Sequence, residues 1–405
     1  MPFSSRMVKI SSSWSLGPNH PPLERGCPPN FSGVISGETD RGVYCDSRHR
    51  PSIVLGVLIF AFTVLLIGCT GSSHVDHPAT ILPHPRGYVA YKTVAPIVVD
   101  GDLDDPAWQR AAWTEDFVDI EGSLKPEPRF RTRAKMAWDD VALYIAAEVQ
   151  DPQVWATLTK RDTVIFYDND FEVFIDPNGD HFEYYEFEMN ALNTVWDLFL
   201  PKPYRDSGSA HNEWNIEGLR TAVKVHGTMN NPSDVDTGWT VEIAMPWKAL
   251  GQYAHRAAPP ADGDHWRINF SRVEWKVNVE NGRYRKIPGL REDNWVWSPQ
   301  WVIDMHQPEL WGYVQFSTLE TGTAPFIPDP SWQARMILYD LYKAEKSFRR
   351  EHGHFATSFS ELGTMPTADG VRVSLEPRTG GFIATARAGQ SVVHETEDSR
   401  CWEDH

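Results

Sequence analysis

From Asp168 onward the chain alternates with a period of two: Phe171, Val173 and Ile175 fall on one side of a strand, and Glu172, Phe174 and Asp176 on the other. The run Tyr184 to Asn190 repeats the pattern, with Tyr185, Phe187 and Met189 opposed to Glu186, Glu188 and Asn190. Pro177-Asn178-Gly179-Asp180 lies between them, so the pair predicts a hairpin with one apolar face and one carboxylate-and-aromatic face. A face of that kind binds a ligand or holds a metal.

The same period recurs upstream. Thr132, Ala134, Met136 and Trp138 alternate with basic residues, then Leu143, Ile145, Ala147 and Val149 alternate with Tyr144, Ala146 and Glu148. Asp139-Asp140 supplies the turn between these two half-buried strands. Ala95–Val99 predicts a strand ending at Asp100-Gly101-Asp102, with a short helical turn carrying Trp108. Further strands are expected at 194–199, 222–227, 240–245, 266–274 and 311–317. Many short strands with turn signals between them indicate a mainly β protein built as an antiparallel β-sandwich. Pro325 to Pro330 reads as a linker, after which Trp332, Met336, Leu338, Leu341, Tyr342 and Phe348 recur at helical spacing to about Arg350. Val371–Leu375 and Gly381–Ala386 read as strands. The expected organisation is a sandwich over 88–320, a small α+β appendage over 331–395, packed on the sandwich by its helix face, and a charged tail over 396–405.

The first 87 residues follow a different pattern. Pro51 to Ile67 is apolar, follows Arg48-His49-Arg50, and ends in Leu66-Ile67-Gly68-Cys69. This is the charged, apolar and small-residue order of an export signal, shorter than the ~20 residues of a membrane span. Leu-Ile-Gly-Cys resembles the bacterial lipoprotein box, which makes Cys69 the expected lipidation site and an exported, membrane-anchored lipoprotein of the outer membrane or cell surface the expected location. Residues 1–50 have no hydrophobic period and read as an unstructured leader ahead of the true start; 51–69 is the signal segment and 70–87 a polar linker.

Composition narrows the chemistry. With 405 residues, 41% hydrophobic, the chain is globular. Its formal net charge of −17 argues against nucleic acid as a partner, because a phosphate backbone needs a clustered basic surface. The 4 cysteines are too scattered for a disulfide framework. Its 17 tryptophans lie almost entirely between Trp108 and Trp332. Indoles fill a sandwich core well, and they also stack on sugar rings. No His-Glu-x-x-His, Gly-x-Ser-x-Gly or phosphate-binding glycine loop is present. Glu172 with Glu186 or Glu188 could form the carboxylate pair of a glycosidase, and Asp176, Asn178 and Asp180 offer oxygen ligands for calcium around a glycine, or a plain hairpin turn.

Five segments, taken in order, resemble the carbohydrate-binding module family 9-like domain. They are Val99 to Trp108, Asp168 to Pro177, Glu242 to Trp247, Trp266 to Arg272, and His306 to Gly312. The resemblance implies a β-sandwich that binds poly- or oligosaccharide, with structural calcium. Matching on Glu172 to Asp176 puts Glu172 at the family's acidic position and Phe166 at its first aromatic wall. Glu188 stands where the family carries arginine, and Met305 falls near the second aromatic wall, for which Trp301 is the substitute. The candidate sugar site is therefore Phe166, Glu172, Glu188, Asn190, Trp301 and His306. The expected function is non-catalytic carbohydrate binding at the cell surface during polysaccharide breakdown. The alternatives are a glycoside hydrolase or lyase using the same acidic face, and an interaction lipoprotein whose sugar site is degenerate.

Overall fold

A computed structural model describes residues 75–78 and 82–404. The leader, the signal segment, Cys69 and linker residues 70–74 and 79–81 lie outside the described residues. The first strands are β1 (Val75–Pro78), β2 (Gly87–Lys92), β3 (Val118–Asp119), β4 (Thr132–Trp138) and β5 (Ala142–Gln150). Next come β6 (Asp170–Asp176), β7 (Tyr184–Asn190), β8 (Val195–Leu200), β9 (Arg220–His226), β10 (Gly238–Pro246) and β11 (His265–Glu274). β12 (Val277–Glu280), β13 (Arg283–Lys286), β14 (Asp293–Val296) and β15 (Gly312–Ser317) complete this part.

Ten of these strands form one sheet in the order β8-β7-β6-β11-β15-β2-β4-β5-β10-β9, with β14 attached to β11 and β3 to β14. The sheet curls over so that its two halves face each other as a β-sandwich. Phe171, Val173, Ile175, Phe187, Trp266 and Phe270 from one half meet Met136, Ile145, Trp239, Val241 and Ile243 from the other in a single buried core. Each contributes from alternate positions of its strand, as a period of two requires. All pairings in the sandwich are antiparallel except those of β2, which runs parallel to both β15 and β4.

The predicted strand at 95–99 pairs with no other strand among the described residues. Its segment is held instead by side chains: Asp105 Oδ2 accepts the Val98 amide at 2.7 Å. Glu242 in mid-β10 accepts the amides of Asp100 at 2.8 Å and Gly101 at 2.7 Å, and Trp108 Nε1 at 2.6 Å. The Asp-Gly-Asp…Trp motif is therefore a strap fastened by one buried carboxylate. Helix α1 (Pro106–Arg110) starts with proline at its first position, where no amide is needed, and buries Trp108. Helix α2 (Trp247–Leu250) follows β10.

The appendage begins with α3 (Trp332–His352), closed by Gly353 in the left-handed conformation. α4 (Phe359–Leu362), β16 (Thr364–Thr367), β17 (Val371–Arg378), β18 (Gly381–Ala388), β19 (Ser391–Thr396) and β20 (Cys401–Glu403) follow. One side of α3, with Ala334, Leu338 and Leu341, packs on Phe382, Ala384, Ala386 and Val393. The other side places Trp332, Met336, Tyr339 and Tyr342 against Leu310 and Tyr313 of the sandwich. The expected tail over 396–405 is in fact structural: β20 pairs with β19, Cys401 is buried, and its amide reaches the Asp180 carbonyl at 3.1 Å. Sandwich and appendage belong to one compact unit, Thr70–His405.

Candidate functional site

The predicted hairpin forms, with Glu172 opposite Glu188, Asp170 opposite Asn190 and Phe174 opposite Glu186. Its polar face is not open to water. Ile120, Met305, Trp311 and Val296 close over Phe174, Tyr184 and the β8 side chains Trp196, Leu198 and Leu200 in a second buried layer. Glu172 is 3% exposed, and Glu188 and Asn190 are fully buried.

Asn190 is committed internally. Its Nδ2 donates to the Leu158 carbonyl at 2.8 Å and to Asp168 Oδ2 at 3.1 Å, while its Oδ1 accepts the amides of Leu192 and Thr194 at 3.0 Å. It pins the β7–β8 turn, which leaves it no capacity for a sugar hydroxyl. Asp168 accepts the Thr157 and Leu158 amides at 2.7 and 2.8 Å. Asn169 Oδ1 and Asp170 Oδ1 accept the amides of Trp275 and Val273. The acidic triplet 168–170 thus staples the 157–158 loop and the end of β11 to the hairpin, because buried amides must find acceptors.

Glu188 Oε2 accepts the Phe166 amide at 3.0 Å. Carboxylate oxygens of Asp170, Glu172 and Glu188 lie within 4.8 Å of one another. This all-oxygen, hard donor set suits calcium. The turn expected to hold calcium does not offer such a set. Asp176 Oδ1 and Oδ2 accept the amides of Gly179 and His181 at 2.8 Å, Asn178 Oδ1 accepts that of Asp180 at 3.3 Å, and Asp180 is taken by the Phe182 amide and Arg400. Asp176, Asn178 and Asp180 make the plain turn, their oxygens facing N–H donors. Burial, and then the neighbouring Asp180 carboxylate, push Asp176 up to about 7.

His306 is buried beside the same face: its Nδ1 lies 3.0 Å from Tyr184 Oη, its Nε2 3.8 Å from Glu186, and its ring edge-on to Tyr204. Trp301, with φ of 63°, donates its amide to the Ile120 carbonyl and lays its ring on Gly122, where an added Cβ would sit 2.7 Å away. It packs on the covering loop and is half-buried.

The accessible part of the site is a ledge beside the acidic cluster. Phe166 and Tyr167 have ring centroids 4.8 Å apart, and Tyr167 is 52% exposed. Trp275 Nε1 donates to the Phe166 carbonyl at 2.8 Å, and Lys286 Nζ sits 3.6 Å over the Trp275 ring and 5.4 Å from that of Tyr167. Partial burial lowers the Lys286 pKa. Lys286 arrives on the β12–β13 hairpin, whose Asn281-Gly282 loop takes positive φ at both residues. Of the residues expected from sequence, only Phe166 lies on this ledge; Tyr167, Trp275 and Lys286 were missed. The Asn-Gly pair between Val279 and Tyr284 was the signal that could have found the hairpin.

A curled β-sandwich with a half-exposed aromatic ledge over buried carboxylates defines a ligand-binding module. Residues 99–261 match the family model described as carbohydrate family 9 binding domain-like, and this segment is a domain of that kind. The chain is 26% identical over 153 residues to exoglucanase XynX of Acetivibrio thermocellus and 28% identical over 158 residues to endo-1,4-beta-xylanase A of Thermotoga neapolitana. Each alignment covers 38% of this chain, and 12% of the length of each relative. A carbohydrate binding module family 9 structure from Caldicellulosiruptor kristjanssonii, in complex with cellotriose, aligns over 60% of this chain and 100% of its own at 16% identity, with a TM-score of 0.36.

Proposed function

We propose that the protein binds oligo- or polysaccharide without cleaving it, through the ledge of Phe166, Tyr167 and Trp275. The observation that carries this reading is that the ledge, with Phe166 and Tyr167 inside the family-matched segment and Trp275 and Lys286 brought in from beyond it, stands beside the acidic hairpin of that segment. Aromatic faces would stack on the apolar side of a sugar ring, and Lys286 would donate to its hydroxyls. Glycoside hydrolysis needs two carboxyl groups flanking an open cleft, about 5–5.5 or 6.5–9.5 Å apart. Glu172 and Glu188 are buried cross-strand neighbours, which supports binding over hydrolysis. The calcium implied by the fold family would be held by Asp170, Glu172 and Glu188, and would supply structural charge balance under the ledge. Export and lipid attachment at Cys69, at the outer membrane or cell surface, complete the reading.

The test is titration of the purified protein with a glycan panel that includes cellotriose, following tryptophan fluorescence. Trp275→Ala is expected to weaken the best ligand about tenfold, corresponding to ~1.4 kcal/mol. Silence across the panel with calcium present, or a Trp275→Ala affinity equal to that of the unaltered protein, refutes the ledge. Turnover of any glycan refutes the non-catalytic assignment. A mature protein that starts elsewhere than Cys69 refutes lipid attachment there.

A further inference from the structure

The appendage completes a second cleft, away from the ledge. Its walls are the β6–β7 turn, the start of β11, the linker at 327–330 and strands β18 to β20, and it encloses about 1150 Å³. Small-ligand clefts typically span about 300–1,000 Å³. In a chain with a formal net charge of −17, this cleft collects five arginines, Arg256, Arg267, Arg335, Arg378 and Arg400, against four carboxylates, those of Asp180, Asp264, Asp329 and Glu403. Cations gathered in a walled cleft focus the field and attract anions even when the whole molecule is negative.

The arginines are not equally committed. Arg335 is saturated by Asp329, Ser331, Cys401 and Glu403, and Arg256 by Asp264 and two carbonyls. Arg267 is only 4% exposed, with its guanidinium carbon 3.9 Å from the centre of the Tyr313 ring; its Nη2 donates to the carbonyls of Pro308 and Glu309. Its Nε has no hydrogen-bond acceptor among the described residues, and the carboxyl of Asp176, opposite it on β6, feels its charge. Arg400 makes one contact with Asp180, and Arg378 one long contact with Glu376, both arginines with about half of the side chain in water. Trp402 stands beside them, 37% exposed, stacked on His394.

We propose that this cleft binds the carboxylate of an acidic saccharide, a uronate unit of an oligosaccharide chain. Arg378 and Arg400 grip the carboxylate in the planar, two-bond manner guanidinium allows, the Arg267 guanidinium adds positive charge at the floor, and Trp402 covers the ring. The saccharide part rests on the function proposed above; the carboxylate part rests on the cleft alone.

The test is calorimetric titration of the full chain with a galacturonic acid trimer, its methyl ester, and cellotriose. The acid is expected to bind about tenfold more tightly than the ester, and Arg378→Gln combined with Arg400→Gln to weaken the acid about tenfold while leaving cellotriose unchanged. Both side chains are half in water, so the double variant keeps its fold; Trp402→Ala, with an expected loss of several-fold, is the independent check. Equal binding of acid and ester, binding of neither, or an unaltered double variant overturns the cleft. Absent cellotriose binding with the acid still bound counts against the ledge and supports the cleft.

Discussion

Replacing Glu242 with alanine tests how the sandwich is fastened. Glu242 is fully buried in β10, and its two oxygens serve three donors, of which Gly101 N and Trp108 Nε1 sit in buried surroundings while Asp100 N is partly exposed. A buried donor left without its acceptor costs about 1–3 kcal/mol. Two such donors put the loss at about 4 kcal/mol, a large part of the 5–15 kcal/mol that holds an ordinary domain. Gly101 has little room to shift toward another acceptor: at φ of 89°, a Cβ added to it would sit 2.8 Å from Lys224 N and 2.9 Å from Val223 C. The assay is equilibrium urea unfolding of the full chain followed by tryptophan fluorescence. Trp108→Phe removes one of the donors, so its cost should fall by about 1–2 kcal/mol in the Glu242→Ala background. A Glu242→Ala loss under about 1 kcal/mol, or strict additivity of the two changes, refutes the strap.

Two further outcomes follow from the buried acids. Calcium chloride should raise the melting temperature of the full chain by a few degrees, consistent with about 2.7 kcal/mol of linkage at a hundredfold excess over Kd, and Glu188→Gln should abolish that response; identical melting in calcium and in chelator rules out the site. Burial pushes Glu274 from 4.5 up to about 7, against the opposing pull of Arg272. The folded state therefore holds a proton that the unfolded state releases, so the stabilisation is complete below about pH 4.5 and lost as pH rises through about 7. His181, buried and held neutral, acts in the opposite sense, so the informative quantity is a difference: from about pH 5 to about pH 8 the protein should lose about 3 kcal/mol more than Glu274→Gln does. Parallel pH curves for the two proteins would contradict this.

The strands that were legible in the sequence are those that bury one face against the main core. Alternation locates β4, β5, β6, β7, β10 and β11 within a residue or two because every second side chain must point inward. Alternation reports polarity, however, and not access. Glu172, Glu188 and Asn190 look like a solvent-facing floor, yet all three are buried, and backbone amides satisfy Asn190 and the neighbouring Asp168. Tyr167, Trp275 and Lys286 escape for the reverse reason: they sit on a turn, a strand end and a two-stranded ribbon, none of which has a core face to impose a pattern. The β20 strand is illegible because its neighbours are charged; it is the packing of Cys401 between Arg335 and Asp180 that anchors it.

The parallel pairings of β2 also set when the sandwich can close. β2 is the first sandwich strand to leave the ribosome, and it sits between β4 and β15, with Gly87 in register with Tyr313. Until synthesis has passed Ser317, one side of β2 has no neighbour, and contacts so distant in sequence form slowly. The segment 99–261 that carries the family resemblance lacks β2, β11, β14 and β15, the strands that join the two halves of the sheet. A nascent chain cut there would expose two unpaired sheet edges, so the unit that folds is longer than the unit by which it is recognised.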